Sequence, residues 1–353
     1  MRPTPLIVST KMNMPVPEPI DFAAPLGTRR LMVSDNPETL DEQSMPESRV
    51  TLWHDIVQRA DFEPVMHRIF AWHLNRTGKT LTLGVTLENC SPLNRLFVTD
   101  LRRIVAFSAG DCLAAGRRLA DRFMSGNWTF LPSFKTVEAG QRTCIDAWHV
   151  RHGELIGFLY EFTVWKHGLG DTRYVIRTVA AVDGAGELSR IAKPPLAPSG
   201  THPRGSWPFA DVLAQTRVYT TGETMSQSLS NGTSDRVFTA SMSVDPVHAL
   251  NNVGHFGARI RVCVPIYNDS GRNRSVRLIL NPRGGVYAGT VSMNRISSAN
   301  RIIRNTPVLR PQGVNAAVLG VWNVMPGLTP LCFDIMHAGA SSLPLAVYVD
   351  TLA

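Results

Sequence analysis

His149 and His152 stand three residues apart, flanked by the carboxylates Asp146 and Glu154. These residue types can hold a divalent metal or move a proton, and an enzyme built on this chain needs them to converge. On a strand, however, positions three apart point to opposite faces, so the two histidines share no ion unless a bulge intervenes. No GxSxG, HExxH, Walker loop or GxGxxG occurs in the 353 residues. Asn281-Pro282-Arg283-Gly284-Gly285 reads as a turn rather than a phosphate cradle, and Asp269 lacks the further carboxylates of a calcium loop. The expectation is a non-enzymatic protein with no cofactor and no metal site.

Charge supplies the next candidate. The net charge is +8, unevenly spread: residues 18–63 hold ten acids against four arginines, and residues 255–310 hold ten arginines against Asp269 alone. Arg259 and Arg261 alternate with apolar residues on one strand, and with Arg272, Arg274 and Arg277 they form the candidate partner-binding face. Phe256, Tyr267 and Tyr287 are the only Phe, Tyr or Trp residues there, too few for base stacking, which disfavours nucleic acid. A solvated face and an acidic partner both remain open. Trp72, Trp128, Trp165 and Trp207 would line a glycan groove if they face solvent.

The elements that must position these residues are strands. Arg68–Asn89 and Arg259–Asn281 share one pattern: strict two-residue alternation, an Asn-led polar turn, a second alternation and another Asn. Each reads as a β-hairpin. Leu81, Leu83, Val85 and Leu87 alternate with small polar residues as in a half-buried strand, so Leu83 and Leu278 should face a core while Thr82 and Arg277 face water. Asp111 to Met124 breaks the pattern, with Asp111 as N-cap and Leu113, Leu119 and Phe123 on one face, as expected of a helix covering one end of a sandwich.

Residues 1–50 are rich in Pro, lack a period and read as an extended arm. The Pro- and Gly-rich stretch 192–207 reads as a linker between a first domain, 51–191, and a second, 208–353. The expected fold is therefore all-β, two antiparallel jelly-roll-like β-sandwiches with an extended N-terminal arm and one short helix. Cys263 and Cys332 fall on strands that a disulfide could join; Cys90, Cys112 and Cys144 read as unpaired. Six N-x-S/T triplets begin at Asn75, Asn89, Asn127, Asn231, Asn268 and Asn273, and those in the turns are explained by backbone demands. No apolar run is long enough to span a membrane, and the first fifteen residues hold no secretory apolar stretch.

The segments RRLMVSDNPETL (Arg29 to Leu40), Arg68 to Asn89, THPRGSW (Thr201 to Trp207) and Gly254 to Leu280 resemble the DUF3370-type proteins of cyanobacteria and related chains from spore-forming bacteria. The resemblance covers most of residues 29–350. It implies an exported, β-rich protein and carries over no catalytic residues. The combined expectation is an extracellular or surface-associated structural subunit of a cell, spore or particle surface. It would self-associate into an oligomer, filament or lattice through its arm and basic second domain. The alternative is a binding module for a glycan, wall polymer or other acidic polymer.

Overall fold

The computed structural model describes residues 6–12, 14–61, 63–132, 135–168, 170–183, 187–295, 298–310 and 315–352, with side chains at 294–301 set aside. The fold is all-β with one α-helix among the described residues, and its strands build two sandwiches. In the first, a four-stranded sheet runs in the order Arg142–Val150, Leu81–Asn89, Thr172–Val182, Arg49–Arg59. It faces an eight-stranded sheet whose centre is Arg95–Ser108, Leu155–His167, Val65–Asn75 and Arg30–Ser34. The second pairs a seven-stranded sheet around Arg259–Asn268 and Gly327–His337 with a six-stranded sheet around Arg274–Pro282 and Leu345–Thr351. Most pairings are antiparallel; several short strands add in parallel, such as Arg30–Ser34 on Val65–Asn75 and Asp211–Gln215 on Arg259–Asn268.

The two repeated phrases are not hairpins. Val65–Asn75 and Leu81–Asn89 lie in opposite sheets of the first sandwich, and Arg259–Asn268 and Arg274–Pro282 lie in opposite sheets of the second. The Asn-led turn is an arch over the core. Asn75 and Asn268 are buried beneath it, using their amides on backbone carbonyls of the arch and of a third strand's end. Alternation therefore marks correct inward faces, with Leu83 and Leu278 in the cores, but carries no information about pairing. The polar face of Leu81–Asn89 is also less open than expected. Thr82 and Thr86 are buried, and a Cβ on Gly84 would lie 2.6 Å from Leu188 of the chain that crosses over this sheet.

The N-terminal segment is extended, yet it is no free arm. Ser9–Lys11 and Glu18–Pro19 are the two edges of the six-stranded sheet, and Phe22–Leu26 is an edge of the seven-stranded sheet. Arg30–Ser34 and Thr39–Leu40 then join the first sandwich. Proline is tolerated at sheet edges, where a missing N–H breaks no ladder, and strands of two to five residues show no period. Such strands look like coil in sequence.

The division at 192–207 is corrected in the same way. The chain starts in the second sandwich, builds the first with residues 30–207, and returns to the second at Asp211. Arg204–Trp207 is an edge strand of the eight-stranded sheet. Side chains replace the backbone bonds that Pro cannot make. Asn36 Nδ2 donates to the carbonyls of Ser199 and His202, and fully buried Arg204 donates to those of Leu196 and His248.

The helix Cys112–Met124 begins at the expected cap, Asp111 Oδ1 accepting from the Ala114 amide at 2.8 Å. It covers the outer face of the eight-stranded sheet rather than a sandwich end. That face carries Phe70, Trp72, Leu155 and Leu159, which belong to one continuous core with the interior of the second sandwich. The approach is close. A Cβ on Gly116 would lie 2.2 Å from the Gly339 carbonyl oxygen, and one on Gly339 would lie 2.7 Å from the Trp72 ring.

Candidate functional site

The five expected arginines do not form one face. Arg259 and Arg261 lie on the seven-stranded sheet, and Arg274 and Arg277 lie on the six-stranded sheet opposite it. Arg272 is exposed in the arch between them. Three already have cross-strand partners: Arg259 with Asp211, Arg261 with Asp334 and Arg277 with Asp350. The acid-rich N-terminal segment does not neutralise them; it joins the second sandwich mainly through strand pairing.

The histidine cluster does not assemble either. His149 Nδ1 meets the Thr82 hydroxyl at 3.1 Å, while His152 Nδ1 accepts from the Gly78 amide in the arch. Asp146 accepts from the Tyr160 hydroxyl and pairs with Arg103. Glu154 accepts from the Arg151 amide. Among the four tryptophans, Trp72 and Trp207 are core residues, and Trp128 and Trp165 reach solvent. Cys263 and Cys332, directly opposite on neighbouring strands, form a disulfide. Ser230, placed between His255 at 3.2 Å and His337 at 3.0 Å, has residue types suited to nucleophilic catalysis. It is 1% exposed and belongs to a buried hydrogen-bonded chain continuing to Tyr287.

The junction of the sandwiches holds a more open constellation. Strand register places Glu161 directly between Arg68 and Arg102 on the eight-stranded sheet. Asp211 and Arg259 are direct partners on the second sandwich. Arg68 is buried and joins the two halves: Nε donates to Glu161 at 2.8 Å, and Nη1 donates to Asp211 at 2.7 Å. Arg102 pairs with the other Glu161 oxygen, and Arg29 lies 3.5 Å from Glu161. The helix C-terminus and the residues after it supply aromatic faces, with Arg68 over Phe123 at 4.6 Å and Arg102 over Trp128 at 4.7 Å.

Four guanidiniums here surround a cavity of about 240 Å³ that contains two carboxylates. An adjoining cavity of about 440 Å³ shares Arg29, Arg102 and Glu161, and adds Asp100 and the exposed ring of Phe130. Burial opposes the charge on Glu161 and on Asp211, but the arginines prevail and hold both below the usual carboxylate range. For Arg29 the balance is reversed: burial, with Arg68 and Arg102 nearby, lowers its pKa despite Glu161. The cavity lining thus carries four guanidiniums against two carboxylates.

Arg259 and Trp128 are the residues of this site that the sequence pointed to. Arg68 in RIFAW, Glu161 in LYEFTV and Asp211 in FADVLA did leave a signal, each being a lone charge within an apolar stretch, whereas Arg29 and Arg102 sit in Arg-Arg pairs. A charge at such a place requires a partner.

No family model and no curated protein matches the chain. Among solved structures it is similar to the PBSX exported protein XepA, at 10% identity over 88% of this chain and 97% of that one, with a TM-score of 0.18. It is also similar to the vicilin of Corylus avellana (hazelnut), at 9% identity over 76% of this chain and 73% of that one, with a TM-score of 0.14. Likenesses at that level add nothing to the fold described above.

Proposed function

We propose that the chain is a non-enzymatic, surface-acting protein that binds a carboxylated glycan in the arginine cleft. The observation behind this reading is the charge count at the sandwich junction, four guanidiniums against two carboxylates. Arg29, Arg102 and Arg259 remain 25%, 33% and 32% exposed there. Planar guanidiniums match carboxylates in bidentate geometry, and half-buried Trp128 lines the same cavity. The Cys263–Cys332 disulfide fits an oxidising, extracellular location. No described helix is long and apolar enough to cross a membrane.

Retention on immobilised polygalacturonate, compared with neutral dextran, tests the proposal. Specific retention that is lost in an Arg29→Gln/Arg102→Gln variant of unchanged thermal midpoint supports it. Equal passage over both columns overturns it.

A structural subunit is the second reading. The N-terminal strands are used within the chain, so assembly would rely on another surface. Val321, Met325 and Leu328 are 51%, 69% and 66% exposed around the arch between Asn315–Val324 and Gly327–His337, beside an apolar cavity of about 360 Å³. Sedimentation showing a monomer at high concentration removes this reading. Concentration-dependent association abolished by Met325→Asp and Leu328→Asp favours it.

A further inference from the structure

We propose that Asp35, Glu38 and His202 form a site for a divalent transition-metal ion, Zn²⁺ foremost, which clips the Pro-rich 192–203 segment onto the eight-stranded sheet. Asp35 and Glu38 lie on the short connection between Arg30–Ser34 and Thr39–Leu40, and His202 lies just before Arg204–Trp207. Sequence spacing gives no hint of the set, because 164 residues separate Glu38 from His202.

The three side chains lie close enough to share an ion. The two carboxylates contact different nitrogens of the His202 ring, Nε2 lying 2.9 Å from Glu38 Oε2 and Nδ1 3.6 Å from Asp35 Oδ2; one donor atom from each residue falls within 4.8 Å of the others, so a bound ion takes one ring nitrogen in place of its direct carboxylate contact. Donors around a tetrahedral zinc are about 3.4 Å apart for bonds of 2.0–2.2 Å. Asp35 is 95% buried, at 5% exposure, and its Oδ1 has no hydrogen-bond partner. A buried carboxylate oxygen left without a donor is costly, and a cation answers that cost.

The backbone of the site is fixed independently of any ion. Asn36 donates to the carbonyls of Ser199 and His202 and accepts from the Ser199 amide. Glu38 and His202 also line a cavity of about 500 Å³, which leaves room for water in a fourth position. One imidazole and two carboxylates, without thiolate, favour Zn²⁺, Co²⁺ or Mn²⁺ over Mg²⁺ or Ca²⁺, which take all-oxygen shells.

Calorimetric titration of the EDTA-treated full-length chain with Zn²⁺ tests the site, paired with the visible spectrum of the Co²⁺ form. The expected result is one equivalent bound, a tetrahedral Co²⁺ spectrum, a higher thermal midpoint and slower cleavage within 192–203. Asp35→Asn and His202→Gln should each weaken Zn²⁺ binding at least tenfold. His248→Gln removes the exposed partner of Asp245 elsewhere and should leave binding unchanged. Absence of Zn²⁺ binding overturns the proposal. So does binding that survives both Asp35→Asn and His202→Gln, or that is lost in His248→Gln.

Discussion

Asn75 and Asn268 occupy the same place in the two sandwiches. Each Nδ2 donates to the carbonyl four residues on, at Lys79 or Arg272, and to the carbonyl ending a strand of the opposite sheet, at Val150 or Val324. Each Oδ1 accepts from the amide and hydroxyl two residues on, at Thr77 or Ser270. One buried side chain thus satisfies the backbone of an arch that crosses the core.

Replacing either asparagine with Ala leaves these buried groups without partners, so a loss of about 2–4 kcal/mol is expected for each in urea titration. The same bonds explain the N-x-S/T spelling. Expressed in a glycosylating host, the folded chain should carry no glycan at Asn75, Asn89 or Asn268, all buried. Mass spectrometry of the secreted protein reads this directly.

The shared core predicts that the sandwiches unfold together. Leu83→Asp and Leu278→Asp should each abolish the whole native transition, since an unpaired buried carboxylate costs several kcal/mol. Gly116→Ala should also lower the single midpoint, because its Cβ would meet the Gly339 backbone. Limited proteolysis should find residues 204–207 protected. Two resolved calorimetric transitions would show that the junction is not a core.

Asp55 gives a pH dependence. It is wholly buried, with Arg30 donating from Nε at 2.9 Å and Nη2 at 2.6 Å. Burial pushes its pKa up, but Arg30 and then His67 prevail and hold it at about 2. A folded pKa below the unfolded value gives stability that is full above about pH 4 and is lost as pH falls through about 2. Asp55→Asn should cost about 3–5 kcal/mol at pH 7, because Arg30 is left buried without its partner. The difference from wild type should shrink as pH approaches 2; a constant difference would contradict the assignment.

The strand faces were legible because burial imposes a period of two, and the helix was legible from its cap and its break in that period. Pairing was not, since an Asn-led turn serves an arch as well as a hairpin and only long-range register separates them. The N-terminal strands were hidden by their length and by proline at sheet edges. In the cleft, Arg259 stood out within an arginine-rich stretch, whereas Arg68, Glu161 and Asp211 come from three distant segments joined only by folding. Charge counting along the chain also misled, because Arg261 and Arg277 are matched by aspartates 73 positions away, each directly across a strand pair.

The most direct test of the cleft is calorimetric titration with a defined galacturonate oligomer at two salt concentrations. The account predicts binding that weakens with salt and falls more than tenfold in Arg29→Gln/Arg102→Gln, with a smaller loss in Arg272→Gln, which lies away from the cleft. Binding that is absent, independent of salt, or as sensitive to Arg272→Gln as to the cleft pair would contradict it.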